Sequence, residues 1–102
     1  MTVQEAELVV AREWQSIAEQ RVGYPLRVDP THTAEYEWGW EISFVPAEAD
    51  RPPRRERYAI DRVTGITSPV GTKGLSEAVR YLAKWRRQRE AEAAARDAGA
   101  AG

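Results

Sequence analysis

The chain contains no cysteine and only one histidine, one phenylalanine and one methionine among its 102 residues. Without cysteine there are no disulfides, no thiolate metal sites and no thiol nucleophile. The single histidine, His32, excludes every metal centre that needs two imidazoles. No apolar run approaches the roughly 20 residues needed to span a bilayer, so no membrane association is expected. The segment Met1 to Glu7 is acidic rather than basic, which argues against a signal or transit peptide and for a cytoplasmic protein. What is present is ordinary for a globular protein: 42% apolar and 30% charged residues, enough for one core and too few for two.

The formal charge of −1 hides an asymmetry. Residues 1–50 carry ten acids and three arginines, net −7; residues 51–102 carry twelve bases and six acids, net +6. Such a split makes either a dipolar surface or two segments that neutralise each other side by side, and the second outcome is the expected one.

The first segment carries full helix punctuation. Thr2-Val3-Gln4-Glu5 fits a capping box, Val3, Ala6, Val10, Trp14 and Ile17 share one face, and Gly23 with Pro25 closes the helix. Leu26–Val28 reads as a short strand ended by Asp29-Pro30. Tyr36, Trp38, Trp40, Ile42 and Phe44 then alternate with Glu35, Glu37, Gly39, Glu41 and Ser43. Period two predicts one long strand with an aromatic and an acidic face, bent at Gly39. The proline-bearing stretch 46–53 is a loop, and Glu56 to Val63 returns as a strand. Asp61 to Gly65 forms a turn ending in a glycine at positive φ, and Ile66–Ser68 is a last short strand. From Leu75 a helix buries Leu75, Val79, Leu82 and Trp85, with Ala78 and Tyr81 beside them.

This order predicts an α+β fold: a two-layer sandwich with an antiparallel meander sheet of three to four strands, covered on one face by the N- and C-terminal helices. Trp14, Trp40 and Trp85 are expected to pack together beneath it. Residues 1–85 form the single domain, and 86–102 a charged, alanine-rich helical extension with a frayed end from Asp97.

No catalytic set stands out. His32 lies in a turn, the serines are scattered without a nucleophile elbow, and Gly71-Thr72-Lys73-Gly74 lacks phosphate-loop spacing. Alternating Glu35, Glu37 and Glu41 are the usual solvent side of a half-buried strand rather than an acid–base pair or a metal site. The expectation is therefore no enzyme, no metal and no cofactor. Arg51, Arg54, Arg55 and Arg57 lie beside the acidic strand, and a hairpin folded about residue 49 sets Glu41 opposite Arg57. At a pI near 5.9 nucleic acid is not the expected partner of this cluster. Aromatic side chains left over from the core, Tyr36 or Trp38, suit a protein-binding anchor.

The run Trp40-Glu41-Ile42-Ser43-Phe44, then Tyr58-Ala59-Ile60-Asp61-Arg62-Val63-Thr64-Gly65, Gly71-Thr72 and Ala78-Val79-Arg80-Tyr81-Leu82, resembles the YrhB domain, also called the immunity protein 35 family, over about residues 3–85. The resemblance implies a small non-catalytic bacterial protein that binds and neutralises a cognate protein toxin of the polymorphic type. A related member is described as a chaperone, so a chaperone-like or oligomeric scaffold is the alternative, and a homodimer is compatible with either. The long loop 46–57 and the tail 86–102 depart from the family pattern. The residues expected at the partner surface are Glu35, Tyr36, Glu37, Trp38, Glu41, Arg54, Arg55 and Arg57. The charged ones serve as steering and rim groups, with Tyr36 or Trp38 as anchor.

Overall fold

The computed structural model describes residues 1–101, with side chains through Gly99. Helix α1 spans Val3–Val22. Strands β1 (Leu26–Val28), β2 (Ala34–Tyr36), β3 (Gly39–Pro46), β4 (Glu56–Asp61) and β5 (Thr67–Pro69) follow, and helix α2 runs from Leu75 to Ala101. A single 3-10 turn, Pro30–His32, separates β1 from β2.

Helix α1 forms for the reasons its sequence carries. The Thr2 hydroxyl accepts from the Glu5 amide at 3.2 Å and the Glu5 carboxylate accepts from the Thr2 amide at 3.1 Å, so two amides that the helix leaves without partners are satisfied reciprocally. Gly23 closes the helix at φ 88°, its amide donating to the Glu19 carbonyl at 2.8 Å. The Glu19 side chain then accepts from the Leu26 amide at 2.7 Å and fixes the entry into β1.

The sheet is antiparallel throughout, in the order β1-β3-β4-β5, with β2 pairing the same edge of β3 as β1. Val28 pairs with Phe44 and Ala34 with Glu41, so β1 and β2 are two halves of one edge strand, parted by the 3-10 turn. Asp29 still donates its amide to the Ser43 carbonyl at 2.9 Å, but Pro30 has no amide to continue the ladder. The sheet has five strands rather than three or four because the expected long strand is itself a hairpin of β2 and β3.

The α+β class and the helix–strands–helix order stand as expected. The placement of the helices does not. Ala6, Val10 and Ala18 of α1 pack with Trp40, Ile42, Phe44, Tyr58 and Ile60. Ala78 and Leu82 of α2 pack with Ala59, which points away from Tyr58 and Ile60 because neighbours on a strand face opposite ways. The helices therefore lie on opposite faces of the sheet, and there are three layers. Small residues make room for the second helix: Ala59 on β4 meets Ala78 on α2, and Ser68 is its buried neighbour on β5. Glu41 and Ser43, alternating polar positions that read as a solvent face, are buried, and so is Asp61 at the end of β4.

Of the three tryptophans expected together, Trp14 and Trp40 share the core under α1, and Trp85 separates from them for the same reason. Trp14 stacks on Tyr58 with ring centroids 5.2 Å apart and donates its indole N–H to Thr67 Oγ1 at 2.8 Å. Trp40 is buried in the core under α1. Trp85 sits on α2 beside Tyr81, on the far side of the sheet.

The expected ten-residue strand is a hairpin. Tyr36 pairs with Gly39, and Glu37 and Trp38 are its two turn residues. A turn of two residues leaves the period-two pattern unbroken in sequence while reversing the chain in space. Trp38 thereby leaves the Trp40 face and packs with the α2-side cluster, its ring stacked on Tyr36 at 5.1 Å. Gly39 passes so close to β4 that a Cβ there would collide with the Ile60 carbonyl.

Helix α2 packs mainly on β4 and β5, and is tied to the body by Arg86, on Asp61 at 2.7 Å and the Trp38 carbonyl at 3.4 Å, and by Arg89 on the Thr64 carbonyl at 3.5 Å. The helix is described through Ala101; Gly102, where the expected frayed end finishes, lies outside the described residues. Among the described residues no helix is long and apolar enough to cross a membrane.

Candidate functional site: an arginine-lined cleft

The β3–β4 loop, 47–55, carries Arg51, Arg54 and Arg55 with Pro52 and Pro53. Each proline fixes its own φ and restricts the residue before it, so these side chains project from a chain with few alternatives. Antiparallel pairing of β1 with β3 sets Arg27 opposite Val45, on the face away from Phe44 and α1. Between this pair, the loop and the 3-10 turn lies a cleft of about 530 Å³, with Arg27, Val45, Arg51, Arg54, Arg55 and His32 among its lining residues. A second cleft of about 370 Å³ shares Arg54 and Arg55 and adds Arg21 and Arg57. Arg54 and Arg55 therefore form the ridge between two basic hollows.

The wall made by the 3-10 turn is tightly bonded. Asp29 Oδ1 accepts from the Thr31 amide at 3.1 Å and the Thr31 hydroxyl at 2.6 Å, while Oδ2 lies 2.5 Å from His32 Nδ1. The Thr31 hydroxyl, and after it His32, hold the Asp29 carboxyl down at about 2. It is therefore ionised and acts only as an acceptor, so the proton in this bond sits on His32 Nδ1, leaving Nε2 as the free ring nitrogen.

Pairing elsewhere shows where the charge asymmetry goes. Glu35 pairs with Arg62 at 3.1 Å, Glu41 with Arg57 at 3.4 Å, and Glu48 with Arg51 at 3.5 Å. Each joins an acid of the first half to a base of the second, as expected of segments that neutralise each other. Glu56 takes both Arg21 and Arg54 at 2.8 Å, and its hydrogen bond, then its charge, pushes the Arg54 pKa up. Arg27 and Arg55, both exposed, form no ion pair among the described residues.

The residues expected at the partner surface therefore fall into separate places. Glu41 is buried and Arg57 half-buried, and each is occupied with the other. The register is displaced by two from the expected one, with Ser43 opposite Arg57 and Glu41 opposite Ala59; a shift of two keeps both side chains on one face, so the pair survives diagonally. Glu35 is exposed and held by Arg62, whose guanidinium also covers the Trp40 ring at 4.6 Å. Tyr36 and Glu37 are exposed at the hairpin, and Trp38 is half-buried against α2. Only Arg54 and Arg55 lie on the ridge. Arg51 joins them from the same loop, and Arg27 and His32 through β1 and its interruption. A strand of three residues gives no register in sequence, so its pairing with β3 could be found only in three dimensions.

No protein family, curated protein or solved structure matches this chain.

Proposed function

We propose that this is a non-catalytic binding protein of the immunity kind, which neutralises a protein toxin through the arginine ridge of its β3–β4 loop. The observation that carries the reading is the distribution of unspent charge. Glu35 and Glu41 of the hairpin and Glu56 of β4 are consumed by internal pairs, while Arg55 on the ridge and Arg27 in the cleft keep unpaired guanidiniums facing outward. Arginine on a proline-stiffened loop is well suited to an acidic partner surface: its planar fork binds carboxylates bidentately, and a stiff loop loses little freedom on docking. The acidic strand face named from sequence has a smaller part in this reading, because Glu41 faces Arg57 rather than solvent.

The exposed apolar residues Leu8 and Ile17 on α1, Val63 in the β4–β5 turn and Tyr81 on α2 are spread over different elements. Single exposed residues of this kind are normal on a soluble surface, so nothing favours the chaperone-like or scaffold alternative.

The test is a tagged pull-down from the source organism at low and high salt, repeated with Arg54→Glu/Arg55→Glu. A stoichiometric protein partner is expected with the parent chain, and co-expression should relieve that partner's toxicity. The double reversal should weaken binding by more than about tenfold while the chain stays folded, the loss of the surface Arg54–Glu56 pair lowering the melting temperature by only a few degrees. Equal capture by the variant would remove the ridge from the interface.

A further inference from the structure

The cleft between the 3-10 turn and the β3–β4 loop holds more positive charge than the fold uses. We propose that it is a binding site for a small phosphorylated molecule, which shares Arg54 and Arg55 with the ridge but does not depend on the protein-partner reading. Four arginines and two acids line it: Arg27, Arg51, Arg54 and Arg55 against Asp29 and Glu48. The acids are already committed. Asp29 is held by Thr31 and His32, and Glu48 by Arg51. Arg27 makes one long bond, to the Val28 carbonyl at 3.5 Å. Arg55 has no ion-pair partner among the described residues.

A phosphate monoester matches this surplus. It carries between about one and a half and two negative charges with three strong acceptor oxygens, and two guanidinium forks satisfy such a group in a planar, bidentate way. The cleft's volume of about 530 Å³ falls in the range of small-molecule sites. Val45, Pro46 and Pro53 give it apolar wall beside the charged end, as a ligand with a phosphoryl head and a less polar body requires. The side chains are also held ready. Arg51 lies over the Tyr24 ring at 4.8 Å, and Arg54 is braced by Glu56 at 2.8 Å.

A nucleic-acid strand fits less well. It would need a basic track with aromatic platforms along it, whereas these arginines gather at one spot and the cleft's lining includes no tryptophan, tyrosine or phenylalanine.

The experiment is an NMR titration of the purified full chain at low salt with inorganic phosphate, AMP, ATP, adenosine and a short single-stranded RNA. Saturable shifts at His32 and at the Nε–H groups of Arg27 and Arg55 are expected with the phosphorylated small molecules and not with adenosine. Arg27→Ala/Arg55→Ala should weaken that binding by about tenfold or more while the melting temperature stays unchanged. No saturation, equal affinity in the double variant, or saturation by the RNA alone would each overturn the proposal. Because no protein partner takes part, failure here leaves the ridge test standing, and failure of the ridge test leaves this one standing.

Discussion

Gly39→Ala is expected to lower stability by at least about 3 kcal/mol, a large part of the roughly 5–15 kcal/mol that holds a domain of this size together. The new Cβ would meet the Ile60 carbonyl well inside van der Waals contact and stand 3.0 Å from the Arg62 amide nitrogen. Both atoms are backbone, so no side-chain rotation relieves the clash. Moving β4 away would break the pairing of Trp40 with Ile60 and the bond from the Arg62 amide to the Trp38 carbonyl. Gly39→Val meets the same backbone with more atoms and should leave the chain unfolded at room temperature. Thermal unfolding followed by circular dichroism checks both; each kcal/mol moves the midpoint by about 4–8 °C in a domain of this size. A Gly39→Ala chain melting within a few degrees of the parent would mean that β3 and β4 do not approach as closely as described.

Asp61→Ala is expected to cost about 3 kcal/mol, near the lower end for breaking a buried pair because Arg86 keeps some access to water. Asp61 is 1% exposed and serves three donors: Arg86 at 2.7 Å and the Val63 and Thr64 amides at 2.8 and 2.9 Å. Its loss removes the one ion pair that joins α2 to the sheet among the described residues and leaves both turn amides without a partner. Burial by itself would raise the Asp61 carboxyl, yet the bonds from Arg86, Thr64 and Val63 prevail and hold it below its ordinary value. A carboxyl lower in the folded chain than in the unfolded one stabilises fully above the unfolded value, near 3.9. That contribution is lost as pH falls through the folded value. Asp29, at about 2, acts in the same direction. The urea midpoint should therefore be flat through neutral pH and fall between about pH 4 and pH 2, with a shallower fall in Asp61→Asn. An equally steep fall in that variant would remove Asp61 from the acid transition.

Much of the fold is written in local signals. The capping box at Thr2 and Glu5, the Gly23 stop, the turn from Asp61 to Gly65 and the start of α2 at Leu75 each depend on contacts within a few residues, and each is where its residues indicate. What escapes is non-local. Alternation from Glu35 to Phe44 is equally compatible with one strand and with a hairpin turning at Glu37-Trp38, because period two carries no record of a reversal. Burial of Glu41, Ser43 and Asp61 depends on Arg57 and on a helix joined to them only through distant parts of the chain, so a polar residue on alternate positions reads as solvent-facing. Ala59 is the one hint, since an alanine between Tyr58 and Ile60 marks where a helix can come close. The candidate site was legible in part for the same reason. Arg54 and Arg55 are conspicuous as a cluster, whereas Arg27 and His32 reach it through strand pairing. His32 reads alone as an inert turn residue until Asp29 is seen bonded to it.

Helix α2 has a consequence for how the protein behaves as a particle. Its 27 residues span about 40 Å at 1.5 Å per residue, and the molecule measures 63 × 25 × 25 Å with a radius of gyration of 16.1 Å. A compact chain of about 100 residues has a radius of gyration near 13 Å. Drag rises with elongation at fixed mass, so a monomer of 11.5 kDa with this outline sediments more slowly and elutes earlier than a sphere of the same mass. On a column calibrated with round standards, a single copy takes on the apparent size of a larger species, and its mass is to be read from light scattering rather than from elution volume.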